Sequence, residues 1–271
     1  MPTVSVIIST YNRANYLENT IKSILCQTFR DFEVLVCDDG SDDNTEELVR
    51  SLIKHDSRVR YFNCGHNGRP AIPRNVGIQN AKGEWLAFDD DDDEWNPVKL
   101  EVQLYQAEKK NIKAICTNAF IVEKGINTGR RYFESEGDRI YTLRDLIDVN
   151  PIINSSMMIH RSLLDFCVGY PEGEDLKAVE DYAFWKRIAV VSPILYISLP
   201  LTRYLMTSSS SIRLKKSQSF EDQRRIVDND FHKWLMEQAL YLRLQVIKEM
   251  FFYKVRKKRD SILSYLRSIC L

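Results

Sequence analysis

Five consecutive carboxylates, Asp89 to Asp93, form the densest group of chemically active side chains in this 271-residue sequence. They directly follow the short apolar run Trp85–Phe88, which predicts a buried strand. Side chains at the carboxyl end of a strand lie where open α/β sheets bind ligands. Adjacent negative charges repel one another unless cations or donors compensate them, and a hard divalent cation prefers such oxygen ligands. A solvated acidic loop, or the start of a helix, would explain the same residues without a metal.

Two other groups of polar residues also follow predicted strands. Thr10–Arg13 ends the β-branched run that begins at Val4, and Asp38–Ser41 follows the apolar run from Phe32 to Cys37. Because the carboxyl ends of parallel strands meet at one edge of a sheet, we expect a nucleotide pocket there, beside the acidic run. No GxGxxG fingerprint follows the first strand, and no GxxxxGK[ST] phosphate loop occurs in the chain.

The elements that must position these groups alternate between strands and helices. Apolar and β-branched runs follow stretches in which apolar residues recur with helical spacing. The predicted strands are Val4–Thr10, Phe32–Cys37, Val59–Phe62 and Trp85–Phe88, and the predicted helices include Asn44–Lys54 and Ile72–Ala81. This alternation predicts a mainly parallel sheet with helices on both faces.

The composition is that of a globular protein without a nucleic-acid partner. Lys+Arg and Asp+Glu both number 38, so the formal net charge is zero. The six cysteines are scattered without a CxxC pair, and no basic and apolar leader precedes Val4. No segment approaches the ~18 apolar residues of a transmembrane helix. We therefore expect reduced thiols and a cytoplasmic protein.

Four stretches in order carry a resemblance to a known family. They read VSVIISTYNR, VCDDGSDDNT, PRNVGIQNAKGEWLAFDDDDDEW and VEDYAFWKR. Over about residues 3–206 the chain resembles the inverting family 2 glycosyltransferases of the GT-A fold, and four motifs in the right order are far more specific than any one alone. The resemblance implies an α/β, Rossmann-like catalytic domain over residues 1–210. Its nucleotide-binding half would be about 1–95, its acceptor-binding half about 96–210, and a helical extension would span 211–271.

The resemblance also implies a reaction and a donor site. A metal-dependent hexosyltransferase of this family would move a sugar from a nucleotide-diphosphate sugar, here a UDP-sugar, to a hydroxyl of a saccharide or lipid-linked saccharide in cell-surface polysaccharide synthesis. Tyr11 would stack on the base, Arg13 would approach the diphosphate, and Asp39 would accept the imide N–H of uracil. The residues implied to hold the donor are Thr10, Tyr11, Arg13, Asp39, Arg74, Asp90 and Asp91.

The family pattern sets the register of the acidic run. Counted back from Trp95, the metal motif falls on Asp90–Asp92, and a shift by one residue stays open because Asp89 stands where an apolar residue is usual. Asp92 would bind Mn²⁺ or Mg²⁺ directly, with Asp90 at the ribose or a metal-bound water. His160, at the end of a predicted strand, resembles a position near the metal in some GT-A enzymes.

Glu180 and Asp181 precede an apolar, helix-like stretch and form the second chemical centre. Two acids are also favourable at a helix N-terminus without any catalytic role. The resemblance implies that one of them is the general base, which must lie within hydrogen-bond reach of the acceptor hydroxyl. We favour Asp181 over Glu180.

The sequence from about Ser217 differs in character. It predicts a helix up to Met250, followed by a stretch rich in aromatic and basic residues, including Arg256–Arg259. Such a helix fits an anionic membrane surface at the inner face of the cell membrane, and equally a contact with the catalytic domain or with a second subunit of a homo-oligomer. Two other functions stay open: a nucleotidyltransferase that makes nucleotide sugars, and a non-catalytic module that binds a nucleotide or Ca²⁺.

Overall fold

The computed structural model describes residues 1–123, 125–134, 137–206 and 219–269. Within these ranges the strands join into one sheet, in the order β3-β2-β1-β4-β9-β6-β10-β5, with β7 beside β6 and β8 beside β10. The strands are β1 (Val4–Thr10), β2 (Phe32–Asp38), β3 (Val59–Asn63), β4 (Trp85–Asp90), β5 (Glu94–Trp95), β6 (Ala114–Glu123), β7 (Ile126–Arg131), β8 (Arg139–Tyr141), β9 (Met158–His160) and β10 (Ile194–Met206).

Helices cover both faces of this sheet, as predicted. The α-helices are α1 (Ala14–Leu25), α2 (Thr45–His55), α3 (Ala71–Asn80), α4 (Lys99–Lys110), α5 (Leu164–Cys167), α6 (Glu180–Val191), α7 (Phe220–Glu237) and α8 (Leu240–Ile269). One apolar core packs α1, α2 and α4 on one face, and a second core packs α3, α6, α7 and α8 on the other. The sheet is therefore buried from both sides, which suits its β-branched strands.

The sheet is parallel in its first half and mixed in its second. β1 pairs in parallel with β2 and β4, and β2 pairs in parallel with β3. The short strand β9 then lies antiparallel to both β4 and β6, while the long strand β10 runs parallel to β6. The sheet therefore has parallel pairs on both sides of the antiparallel strand β9: β1–β2, β1–β4 and β2–β3 on one side, and β6–β10 on the other.

Helix α3 packs unusually close to the sheet. A Cβ atom added at Gly77 would lie 2.5 Å from a methyl carbon of Ile7, so only glycine allows this approach. The close packing brings Arg74, on the same helix, to the carboxyl ends of the strands, where it is 6% exposed.

Helix α7 packs on helix α6. Val227, Phe231 and Trp234 join the same apolar core as α6, and Arg187 of α6 forms an ion pair with Asp230 at 2.6 Å. The predicted boundary at residues 210 and 211 lies outside the described residues. Among the described helices, none combines the length and the apolar character needed to cross a membrane.

Candidate active site

A cavity of about 770 Å³ opens at the carboxyl ends of β1, β2 and β4. Its volume is within the range usual for small-molecule sites. Of the residues proposed from the sequence, the cavity is lined by Thr10, Tyr11, Arg13, Asp39, Arg74, Asp90, Asp91, Asp92, Glu180 and Asp181. These residues lie together because neighbouring parallel strands end at the same edge of the sheet.

The five carboxylates of the acidic run divide into two sets. Asp90, Asp91 and Asp92 line the cavity. Asp93 is buried and structural: its carboxylate accepts hydrogen bonds from the Ser155 hydroxyl at 2.5 Å and from the backbone N–H of Leu205 at 2.9 Å. Asp89 is also buried, within β4. The cavity-lining set coincides with the register counted from Trp95.

Arg13 forms ion pairs with two of the carboxylates in the cavity. Its guanidinium hydrogen-bonds Asp92 and lies 3.3 Å from Asp91. Burial raises the pKa of Asp91 to about 7, although Arg13 opposes this shift. Burial likewise raises the pKa of Asp92, again against the attraction of Arg13. Keeping Asp91 and Asp92 ionised in this buried position therefore costs free energy. A further cation nearby would reduce that cost.

Arg74 connects the acidic run to α6. Its two terminal nitrogens donate to Asp90 Oδ1 at 2.7 Å and to Glu180 Oε1 at 2.6 Å. Burial lowers the pKa of Arg74, but the Asp90 and Glu180 carboxylates raise it more, so it ends above its ordinary value. The guanidinium also lies over the ring of Tyr170, 5.2 Å from its centre. Arg74 thus holds carboxylates from two distant parts of the chain in one arrangement.

Asp181 lies next to Glu180 but has different partners. Its carboxylate accepts hydrogen bonds from the Tyr182 backbone N–H at 2.7 Å and from the Asn150 side-chain amide at 3.2 Å. Ala178, which also lines the cavity, has a φ of 77°, a left-handed conformation uncommon for a residue with a Cβ. This turn leads into α6 and presents its first residues to the cavity.

The β2 end of the cavity is built around Asp39. Its two carboxylate oxygens accept hydrogen bonds from the backbone N–H groups of Asn67 at 3.0 Å and Gly68 at 2.8 Å. The rings of Tyr11 and His66 stack beside it, with centroids 4.5 Å apart and an angle of 28° between the planes. An aromatic surface and a carboxylate therefore lie together, as a base-binding site needs.

His160 does not lie at this cavity. In the sheet it pairs with Trp85, at the opposite end of β4 from the acidic run. Its ring nitrogens lie 2.9 Å from Glu84 Oε1 and 2.9 Å from the Ser162 hydroxyl. We therefore remove His160 from the proposed metal ligands: the strand on which it lies runs antiparallel to β4, so the end of β9 is at the far edge.

The donor set of the cavity suits a metal held by few protein ligands. Among the described residues, no group of three or more His, Cys, Asp or Glu side chains is arranged to hold a metal ion. Asp90 and Asp92 are both held by arginines. Magnesium-type ions are commonly bound by one or two carboxylates, with waters and substrate phosphates completing the shell. The residues present fit that mode and not an all-protein cage.

Sequence reasoning missed the polar segment that supports Asp90. Asn154 donates to Asp90 Oδ1 at 2.8 Å and accepts from the Tyr170 hydroxyl at 2.8 Å. Ser155 accepts from the backbone N–H of Asp90 at 3.1 Å. A signal was present, because Asn154, Ser155 and Ser156 interrupt an apolar stretch. Their partner could not be found from spacing alone, since it lies more than 60 residues away.

Known proteins resemble this chain in sequence and in fold. An uncharacterized glycosyltransferase of Rickettsia felis is 35% identical over 211 residues, which cover 77% of this chain and 34% of that protein. The GalNAc(5)-diNAcBac-PP-undecaprenol beta-1,3-glucosyltransferase of Campylobacter jejuni is 46% identical over 126 residues, covering 46% of this chain and 40% of that protein. The matched segments thus cover less than half the length of either relative.

The fold has a solved counterpart. The crystal structure of S. aureus TarS 1-349 in complex with UDP-GlcNAc matches 89% of this chain and 68% of that chain, with a TM-score of 0.70 and 22% identity. The match confirms the predicted GT-A type of α/β fold. A sequence model described as glycosyl transferase family 2 matches residues 5–166. This chain belongs to glycosyl transferase family 2.

Proposed function

We propose that the chain is a metal-dependent inverting glycosyltransferase that moves a sugar from a UDP-sugar to a hydroxyl of a saccharide or lipid-linked saccharide. The proposal rests on one observation: Asp90–Asp92 and Asp181 line the same cavity. The donor diphosphate would lie against the first group and the acceptor hydroxyl near the second. Membership of the family supports the reaction class.

The β2 end of the cavity would hold the uridine. Tyr11 supplies an aromatic face for the base, and Asp39 supplies a carboxylate that can accept the imide N–H of uracil. The hydrogen bonds from Asn67 and Gly68 fix the carboxylate in place, which favours one orientation of the base. Thr10 is buried at the end of β1, between this site and the acidic run. The UDP-GlcNAc bound to TarS supports a uridine nucleotide.

The acidic run and its arginines would hold the diphosphate. Asp92 and Asp90 would bind Mn²⁺ or Mg²⁺, which would neutralise charge on the departing diphosphate. Arg13 already spans Asp91 and Asp92, so its guanidinium is positioned to donate to phosphate oxygens at the same place. Arg74 has both terminal nitrogens on carboxylates, and we assign it to positioning Asp90 and Glu180.

Asp181 would act as the general base. As the acceptor oxygen attacks the anomeric carbon from the face opposite the diphosphate, the acceptor O–H proton passes to Asp181 and the carbon–oxygen bond to the diphosphate breaks. Glu180 is the weaker candidate because the Arg74 guanidinium holds one of its oxygens at 2.6 Å. Single displacement inverts the anomeric configuration.

The proposed class of acceptor is based on the name of one relative. The name of the Campylobacter protein specifies an undecaprenol-linked saccharide, which supports a lipid-linked acceptor and a role in cell-surface polysaccharide synthesis. The acceptor would enter beside Asn150, which lines the cavity and donates to Asp181 at 3.2 Å.

Calorimetric titration with UDP tests the donor site. We expect UDP to bind with Mn²⁺ present, and Asp92→Ala or EDTA to weaken binding at least about tenfold, because a diphosphate beside uncompensated carboxylates is repelled. Asp165→Ala, which removes an exposed carboxylate on α5, is the matched control. Equal UDP affinity with Mn²⁺ and with EDTA would reject the metal-dependent site.

A further inference from the structure

Helix α8 exposes an apolar stripe that no described part of the chain covers. Leu240, Leu244, Ile247, Phe251 and Val255 recur at intervals of three and four residues, so they share one face of the helix. Each is between 51% and 68% exposed. A contiguous apolar surface of this kind is typical of an interaction site.

The opposite face of α8 fixes the helix to the catalytic domain. Leu242 and Val246 are 6% and 1% exposed and belong to the core that includes α6. Lys257 Nζ donates to Asp148 Oδ2 at 2.6 Å, and the Tyr253 hydroxyl donates to the same oxygen. The exposed stripe is therefore held on the side of the helix that faces away from the domain.

The charges around the stripe are almost all positive. Residues 240–261 contain seven Lys and Arg but two acids, Glu249 and Asp260. Both acids form ion pairs with arginines, Glu249 with Arg144 and Asp260 with Arg256. Three exposed lysines flank the apolar face at helical spacing from its members: Lys248, Lys254 and Lys258.

The apolar stripe and its positively charged flanks together distinguish between two binding partners, a second copy of the chain and a lipid bilayer. A second copy of the chain would bring like-charged flanks together, which is unfavourable at an interface. An anionic bilayer buries the apolar stripe at the headgroup boundary and attracts the flanking lysines. Charge complementarity thus favours the bilayer.

The residue that holds α8 on the rest of the chain, Asp148, is close in sequence to the cavity. Asp148, which holds Tyr253 and Lys257, is two residues from Asn150. Asn150 lines the cavity and donates to Asp181. We propose that the exposed face of α8 binds an anionic lipid surface and so brings the acceptor side of the cavity to the membrane. This deepens the proposed function by naming where a lipid-linked acceptor is met, and its test needs no nucleotide sugar.

Sedimentation of the full chain with vesicles tests this inference. We expect the chain to bind vesicles of phosphatidylcholine mixed with phosphatidylglycerol, more tightly as the anionic fraction rises and less tightly as salt rises. The triple variant Lys248→Ala, Lys254→Ala, Lys258→Ala should bind the anionic vesicles roughly 100-fold more weakly. The matched control replaces three exposed lysines on other helices, Lys22, Lys54 and Lys109, and should bind like the wild type.

The apolar stripe has its own variant. Leu244→Ser, Ile247→Ser, Phe251→Ser should abolish vesicle binding, whereas Ile126→Ser with Leu199→Ser, which removes exposed apolar side chains elsewhere, should not. A far-UV circular dichroism spectrum and an unfolding temperature like those of the wild type show that each variant is folded, so the test does not depend on the proposed donor site. Equal binding of the wild type to neutral and anionic vesicles would overturn the inference. So would a dimer by light scattering that the stripe variant dissociates, if the wild type binds no vesicles.

Discussion

Glu180 and Asp181 are neighbours in the sequence, but the fold gives them different surroundings. Arg74 forms an ion pair with Glu180, while Asp181 accepts hydrogen bonds from the neutral donors of Tyr182 and Asn150. The sequence predicted that both acids begin a helix near a reactive centre, and α6 does begin at Glu180. It gave only a preference between them, because Arg74 lies 106 residues away in the chain.

Conservative amide substitutions distinguish these two acids. Asp181→Asn keeps the size of the side chain but cannot accept the acceptor proton, so we expect kcat to fall about 10²–10⁴-fold with unchanged UDP affinity. Glu180→Gln removes an ion-pair partner of Arg74, and we expect a lower unfolding temperature with a smaller loss of kcat. If Glu180→Gln alone abolishes turnover, the two roles are reversed.

Asp39 has a structural contact that its predicted role did not include. Asp39→Asn replaces one acceptor oxygen by a donor group, so it should weaken the contacts to Asn67 and Gly68 as well as the proposed contact to uracil. We expect weaker UDP binding and a lower unfolding temperature, with Mn²⁺ binding retained. Competition by CDP and GDP is the readout: if either competes with the wild type as well as UDP does, Asp39 does not select the base.

At the scale of elements, the position where β4 ends determines which carboxylates of the acidic run line the cavity. The run was predicted to end a strand, and β4 continues to Asp90. Counting from Trp95 predicted Asp90–Asp92 as the metal motif, with a shift by one residue left open, and these three residues line the cavity. It could not show that Asp93 is structural, because its partners Ser155 and Leu205 come from later, distant segments.

The buried carboxylate of β4 is compensated by α4. Burial raises the pKa of Asp89 well above its ordinary value, Asp93 raises it further, and Lys99 opposes both. Burial lowers the pKa of Lys99 to about 7, against the attraction of Asp89. Lys99 Nζ also donates to Gln103 Oε1 at 2.9 Å. A single proton, on either Asp89 or Lys99, leaves the two groups with no net charge in the core.

Lys99→Met should make stability depend on pH. Without the lysine, folded Asp89 must carry its own proton, whereas the unfolded chain releases that proton above about pH 4. The folded state then binds one more proton, so the free energy of unfolding should fall by about 1.4 kcal/mol per pH unit as pH rises towards the raised pKa of Asp89. Urea denaturation from pH 5 to 8 measures this, and a constant difference from the wild type would contradict it.

At the scale of the whole molecule, the first half of the chain follows directly from its pattern. Alternating strands and helices there are local signals, and they predicted the parallel pairing of β1, β2, β3 and β4, although not the order of these strands in the sheet. The second half depends on contacts between distant segments. The insertion of β9 between β4 and β6, and the packing of α7 on α6, have no periodic signature in the sequence. His160 was misplaced for this reason.

The anomeric configuration of the released sugar tests the central claim most directly. In the absence of an acceptor, water can replace the hydroxyl nucleophile, so the chain with Mn²⁺ should slowly hydrolyse an α-linked UDP-sugar. Single displacement with Asp181 as base predicts that proton NMR detects the β-anomer first, before mutarotation. The α-anomer as the first product would contradict the account, because it would require two displacements or a different geometry at this cavity.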